Sequence, residues 1–425
     1  MSGPRGERPN GRRVVVTGLG LVTPIGVGRE AVWRSVAEGR SGAGPITLFD
    51  TAEHDTKFAC EVRGFEPTDY MERKAARRMD RFAQLGVAAG RLALDDAGLE
   101  VDGEGARIGA VVASGVGGLH TFTEQARVLV ERGPGRLSPL FVPMMIANMA
   151  AAQVSMELGL RGPLSCTATA CAAGNHAIGD ASEVIRRGHA DVMLAGGAEA
   201  AVTPIGIGGF NAMRALSTRN DDPAAASRPF DSGRDGFVMG EAGAILVLEE
   251  LQHALDRGAD ILCEVAGYGM SADAHHLTEP DQTGEAPARA MRLALEDAGL
   301  QPQQVDYVNA HGTSTPVGDR SEVRVIQKAL GAEVAARTPV SSTKSMHGHC
   351  LGAAGGLEAA IVALAMRAGV LPPTINLTDL DPQCAEVDHV ANQARPAAIR
   401  VALSNAFGFG GHNATIVLTL PEDLG

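Results

Sequence analysis

The chain predicts an α/β protein assembled from two fused, related halves, and three observations carry that expectation. Apolar, β-branched runs alternate with helix-like stretches along the sequence. One segment occurs twice: Arg91-Leu92-Ala93-Leu94-Asp95-Asp96-Ala97-Gly98-Leu99 returns as Arg292-Leu293-Ala294-Leu295-Glu296-Asp297-Ala298-Gly299-Leu300. A length of 425 residues also exceeds what one small domain needs. Strands that alternate with helices predict mostly parallel sheets. The spacing of the copies is too long for a solenoid.

Taken in order, the first strand is expected over Arg13 to Thr17, ended by Gly18-Leu19-Gly20. That Gly-x-Gly is not a dinucleotide loop, because the third glycine of the fingerprint is missing and Pro24 sits where a helix should open. Each copy of the repeat reads as a helix end stopped by a glycine, at Gly98 and at Gly299. A strand candidate follows each, Ile108 to Ala113 and Val305 to Ala310. The second half opens like the first, with Glu264-Val265-Ala266-Gly267. A small-residue helix follows Cys171 in one half and His349 in the other. The halves are therefore drawn as 14–260 and 261–420.

Composition narrows the function. Hydrophobic residues make 45% and charged residues 20%, the balance of a folded protein in water. A net charge of −13 argues against nucleic acid as the main partner. It leaves room for a local basic patch that meets an acidic protein. The cysteines Cys60, Cys166, Cys171, Cys263, Cys350 and Cys384 are scattered without a CxxC pair. That fits a reducing cytoplasm and argues against a disulfide scaffold or a zinc site. No apolar stretch is expected to span a membrane. Met1 to Arg13 is polar, lacks the apolar segment of a signal peptide, and reads as a disordered arm.

Three motifs carry chemistry: Thr169-Ala170-Cys171-Ala172-Ala173-Gly174-Asn175-His176, His311-Gly312-Thr313-Ser314-Thr315, and Lys344-Ser345-Met346-His347-Gly348-His349. One thiol and two imidazoles suit a carbon–carbon bond-forming acyl-thioester enzyme. The thiol carries an acyl group and the imidazoles donate hydrogen bonds to oxygens that gain charge. Cys171 is expected at the first turn of a helix, where the positive end of the dipole would lower its pKa and favour thiolate. His311 follows the strand Tyr307-Val308-Asn309-Ala310, at the end where α/β folds place their sites. Cys166 reads as core.

The wording of these motifs resembles the β-ketoacyl-[acyl carrier protein] synthases of the thiolase superfamily, most closely the bacterial synthase II type, over Val14 to Leu420. The resemblance implies a five-layered αβαβα sandwich and a decarboxylative Claisen condensation between an acyl-carrier thioester and malonyl-carrier, without metal or organic cofactor. It implies Cys171 as nucleophile, His311 and His349 at the malonyl unit, and Lys344 paired with Glu358 beside them. Within Asn405-Ala406-Phe407-Gly408-Phe409-Gly410-Gly411-His412-Asn413, it implies that Phe409 gates the acyl pocket and that its amide joins that of Cys171 in an oxyanion hole. Asp273 to Thr283 matches the loop that moves with it. Val116, Phe141 and Phe210 match pocket-lining positions.

Lys74, Arg77, Arg78 and Arg214 match a docking surface for acyl carrier protein, beside Arg73. A homodimer is implied, in which the Phe141 position of the neighbour helps close the acyl tunnel. The chain departs from the family at Ala172-Ala173, where a hydroxyl residue often follows the cysteine, and at His347 and His412, where Thr is usual. These departures keep open a ketosynthase of a type II polyketide pathway, paired with a chain-length factor. A silent chain-length subunit would lack Cys171. A coenzyme A thiolase would need a second cysteine near the C-terminal glycine loop, and Cys384 comes too early.

Overall fold

The computed structural model describes residues 11–101 and 105–421. The elements that build the sandwich are β1 (Val14–Thr23), α1 (Arg81–Ala97), β2 (Ile108–Ala113), α2 (Leu119–Arg132), α3 (Met149–Leu158), β3 (Leu164–Ser165), α4 (Ala173–Arg186), β4 (Val192–Glu199), β5 (Ala242–Glu250) and β6 (Cys263–Ala272). The second half continues with α5 (Glu285–Ala298), β7 (Tyr307–Asn309), α6 (Pro316–Leu330), β8 (Pro339–Ser341), α7 (Ala354–Ala368), β9 (Asp388–His389), β10 (Val401–Gly408) and β11 (His412–Thr419).

The strands run β9-β8-β7-β10-β11-β6-β1-β5-β4-β2-β3. Among the described residues, the two half-sheets join where Val15 and Val16 of β1 meet Glu264 and Cys263 of β6. Helices α4 and α7 pack against each other and against strands of both half-sheets, so they form the middle layer. Helices α1 and α3 cover the outer face of the first half-sheet, and α5 and α6 cover that of the second. This gives five layers, αβαβα. All ten residues of β1 are buried, as a strand covered on both faces requires.

The duplication extends to atomic packing. Helices α1 and α5 end on Gly98 and Gly299, with φ of 57° and 67°, the left-handed stop that glycine adopts most cheaply. On β1, a Cβ at Gly20 would lie 1.7 Å from the Ala89 carbonyl oxygen of α1. On β6, a Cβ at Gly269 would lie 2.1 Å from the Ala290 carbonyl oxygen of α5. Each half therefore presses its second-repeat helix directly onto a glycine-bearing strand.

Four expectations change. The sheet is mixed: β1, β5, β6 and β11 pair antiparallel through the centre, and parallel ladders occupy the flanks. Alternation with helices predicts parallel pairing only where a helix bridges neighbouring strands. Strands β10 and β11 are joined by the short Phe409–Gly411 turn instead. The first strand does not stop at Gly18 but runs on to Thr23, with a bulge between Val16 and Gly18.

One helix, Leu351–Ala368, is long and apolar enough to cross a bilayer, contrary to expectation. Its residues are 83% buried because it belongs to the middle layer, apolar on all sides. The expected disordered arm falls mostly on residues 1–10, outside the described residues. Arg12 and Arg13, however, are held by Asp191 and Glu264.

Gly20→Ala is expected to cost about 3 kcal/mol, since neither backbone has room to yield. Gly208→Ala, whose new methyl group would meet no heavy atom within 4 Å, is the control. Urea midpoints measure both, and equal midpoints would contradict the tight strand–helix contact.

Candidate active site

The middle layer brings the motifs together. Cys171 lies in a single 3-10 turn, Ala170–Ala172, that leads into α4. Leu351–Ala353 forms the corresponding turn ahead of α7, immediately after His349. Ala170 and Leu351 both take positive φ, 50° and 46°. Such backbone costs a non-glycine residue about 1–3 kcal/mol and is held by its surroundings. A Cβ at Gly174 would lie 2.8 Å from the Gly356 amide, so the two helices cross with their backbones in contact. That crossing sets the Cys171 turn beside the His349 turn. His311 enters just beyond β7.

The sulfur of Cys171 and one ring nitrogen each of His311 and His349 lie within 4.8 Å of one another. The two imidazoles stand nearly perpendicular, with centroids 5.4 Å apart. Nδ1 of His311 and both ring nitrogens of His349 are buried without a hydrogen-bond partner. The three residues sit on the wall of a cavity of about 460 Å³, with Val116, Phe210 and Phe409. The backbone amides of Phe409 and of Cys171 itself lie close enough to the sulfur to draw its pKa down.

The electrostatics differ from the expectation. Burial pushes the Cys171 thiol up to about 11, against the Lys344 charge and the two amides. Desolvation therefore outweighs the helix end, and the resting group is a thiol rather than a thiolate. Burial holds both imidazoles well below the usual range, with Lys344 adding to the effect. They are neutral, and each carries one N–H donor.

Lys344 pairs with Glu358, both buried to 1% exposure. Burial lifts the Glu358 carboxyl to about 7 despite that partner.

Two further carboxyls escaped the sequence reading. Glu199, ending the otherwise apolar β4, accepts from the amides of Gly115 at 2.6 Å, Val116 at 3.3 Å and Gly352 at 3.1 Å, and from Ser114 Oγ at 3.0 Å. Glu322 accepts from the amides of His311 at 2.7 Å and Gly312 at 2.6 Å. Burial raises both, Glu322 to about 7. A lone acid closing an apolar strand was the available signal for Glu199. Phe237, edge-on to His349 at 5.4 Å, carried no signal of its own.

The other expected residues are placed as follows. Phe210 packs 6.4 Å from Phe409. Phe141 does not line the cavity of its own chain; it is half-buried beside Phe122. The monomer thus lacks this part of the expected pocket. Arg73, Lys74, Arg77 and Arg78 are exposed, and Arg214 is exposed on the cavity rim.

His347 is fully buried, with Nε2 3.1 Å from Thr343 Oγ1, and burial lowers it to about 3. It is absent from the cavity wall. His412 is exposed at the foot of the glycine loop, its ring 6.4 Å from that of His176. That loop is tied to the segment after β6: the Gly410 amide donates to Leu277 O at 2.8 Å, the Asp273 amide to Gly411 O at 3.0 Å, and Asn413 Nδ2 to Asp273 Oδ1 at 2.6 Å. Cys166 is half-buried against the first core rather than fully enclosed.

A five-layered sandwich with a buried cysteine and two neutral imidazoles on one cavity wall is the architecture of a thiolase-like ketosynthase. Residues 11–254 match the family model described as beta-ketoacyl synthase, N-terminal domain, and residues 262–378 match beta-ketoacyl synthase, C-terminal domain. The chain belongs to the β-ketoacyl synthase family.

It is 51% identical to the 3-oxoacyl-[acyl-carrier-protein] synthase 2 of Synechocystis sp. over 95% of this chain and 97% of that one. It is 50% identical to the protein of the same name from Vibrio harveyi, over 96% and 98%. Among solved structures, the ishigamide ketosynthase/chain length factor superposes with a TM-score of 0.91 at 38% identity, covering 96% of this chain and 99% of that one. A type II polyketide synthase acyl-carrier protein in complex with its ketosynthase, bound to the hexaketide, gives 0.89 at 36% identity, over 97% and 100%.

Because the thiol sits near 11, its alkylation by iodoacetamide is expected to climb about tenfold per pH unit from neutrality to about pH 10, without a plateau. A plateau near pH 7, read by intact mass against time, would restore the thiolate expectation.

Proposed function

We propose that this chain elongates carrier-bound acyl chains by decarboxylative Claisen condensation, as in fatty-acid synthesis. The observation that carries the reading is the convergence of the Cys171 sulfur with His311 and His349 on one cavity wall, under the amides of Cys171 and Phe409.

An acyl-carrier thioester enters and the Cys171 sulfur bonds to its carbonyl carbon. The carrier thiol leaves with the proton that the thiol gives up. The two amides hold the oxygen of the tetrahedral intermediate, and such a donor contributes about 3–4 kcal/mol. Malonyl-carrier follows. The neutral N–H groups of His311 and His349 donate to its thioester oxygen as the bond to carbon dioxide breaks. The resulting carbanion attacks the acyl-enzyme carbonyl and Cys171 departs as thiolate. The products are carbon dioxide and a 3-oxoacyl-carrier two carbons longer.

Lys344 and Glu358 order the charge behind the imidazoles. Residues 14–260 bring the nucleophile, and 261–420 bring the imidazoles and the gating loop. The chemistry calls on no metal or organic cofactor.

Acidic acyl carrier protein docks on Lys74, Arg77, Arg78 and Arg214, which are exposed, with Arg214 on the cavity rim. The chain pairs with a second copy across β3. That strand is the last of its sheet, and Leu164 and Ser165 on it are exposed, which leaves a template for a further strand. Val142 and Met156 are exposed as well, at 56% and 62%. The second copy then delivers its Phe141 to the acyl tunnel. The free state of all six cysteines supports a reducing, cytoplasmic setting.

A second reading, a polyketide ketosynthase joined to a chain-length factor, draws on the likeness to the ishigamide assembly. Light scattering separates them: a stable dimer of this chain alone supports the first, and a monomer that dimerises only with a second gene product supports the second.

With malonyl-carrier and a ladder of acyl-carriers, intact mass is expected to show one acyl adduct, lost in Cys171→Ser along with condensation. His311→Ala and His349→Ala are expected to lower decarboxylation by at least about a hundredfold while acylation survives. His347→Thr is expected to be mild. An adduct that persists on another cysteine, or a His347 variant as damaged as His349→Ala, would overturn these roles.

Charge reversal at Lys74, Arg77 and Arg78 is expected to raise KM for acyl-carrier and flatten its salt dependence. A small acyl-thioester mimic should react almost normally. Equal losses with both substrates would make the cluster structural.

A further inference from the structure

We propose that Cys171, His311 and His349 form a three-ligand site for a zinc-type cation, and that an ion bound there blocks acyl loading of the cysteine. The ion is an inhibitor at this position, not a cofactor.

The donor set is the starting point. One thiol and two imidazoles are the ligands that borderline-soft divalent ions select, whereas magnesium and calcium prefer oxygen. The three donor atoms already lie within 4.8 Å of one another. A tetrahedral zinc ion would space them about 3.3–3.6 Å apart, from its usual bond lengths. Closing that gap asks each of the three side chains to move inward by at most about 0.8 Å.

The nitrogens are free to do so. Nδ1 of His311 and both ring nitrogens of His349 have no hydrogen-bond partner to give up. His349 is 97% buried, at 3% exposure, and its ring nitrogens are unpartnered at the cavity wall.

The charges decide which way the balance falls. Lys344 opposes a cation, but it is paired with Glu358. Glu199 lies behind the turn that follows His349, and Glu322 behind that of His311. On binding, Cys171 releases its proton to solvent and forms a metal–sulfur bond, with no change in oxidation state. Three protein ligands leave a fourth position facing the cavity, open to water. The sulfur lone pair that would attack a thioester is then engaged by the metal.

The test uses the full chain, stripped with a chelator and titrated with Co²⁺ as a spectroscopic probe, then with Zn²⁺. One Co²⁺ per chain is expected, with the intense visible bands of a four-coordinate ion and a sulfur-to-cobalt charge-transfer band. Zn²⁺ should displace it and Mg²⁺ should not. Both signals should vanish in Cys171→Ser, and affinity should fall at least tenfold in His311→Ala and in His349→Ala. Wild-type protein capped at Cys171 with iodoacetamide should behave like Cys171→Ser, which guards against a variant that misfolds.

Equal affinity in the Cys171→Ser or histidine variants, or a spectrum without the thiolate band, would overturn the site. Acylation of Cys171 at an undiminished rate with the ion bound would overturn the block. Because the cobalt bands need no turnover, a failure of the condensation reading leaves the binding result intact and separately readable.

Discussion

Everything at the site depends on the backbone contact between the two central helices. Gly174 faces Gly355 and Gly356 so closely that a single added carbon would strike an amide. The runs of alanine and glycine after Cys171 and after His349 serve this one demand. Were either helix lined with larger residues, the axes would separate and the two N-terminal turns would part with them. The same rule operates one layer out, where Gly20 and Gly269 let α1 and α5 lie directly on β1 and β6. Small residues thus set the spacing of all five layers, and the spacing sets the distance between sulfur and imidazole.

Around that contact the protein buries charge at a cost and spends it on position. Glu199 holds the amides after β2 and the first turn before α7. Glu322 holds the amides at His311 and Gly312. Lys344 and Glu358 hold each other. Breaking the buried Lys344–Glu358 pair by removing one partner costs about 3–5 kcal/mol, and the two carboxyl–amide clusters pin the loops that carry His311 and border Cys171 and His349. None of the three reactive groups is itself charged at rest. Polarity is supplied by fixed neighbours, which is the condition for electrostatics that need no rearrangement during reaction.

Much of this was legible in the sequence because it is repeated or because it is spelled in small residues. The twice-written helix end, the glycine-bearing strands and the alanine-rich helices all translate directly into packing. What the sequence concealed were properties of assembly. The antiparallel centre arises where a short turn, not a helix, links β10 to β11, and β1 passes through Gly18 and Gly20 because a strand tolerates glycine where a helix must press close.

The depressed thiol pKa was expected from the helix end alone. Burial of Cys171 is a tertiary quantity that local reasoning cannot weigh. Glu199 and Glu322 act through backbone amides, which leave no pattern in side-chain spacing.

The protonated resting state of Cys171 has a consequence for survival under oxidative stress. Peroxide and other small oxidants attack thiolates, and susceptibility follows thiolate character and exposure. With a pKa near 11, about one sulfur in ten thousand is ionised at neutral pH. Enclosure by the glycine loop narrows access further. The thiol of Cys171 is thus stored as the less reactive species, and the damage ladder that begins with sulfenic acid has little to start from.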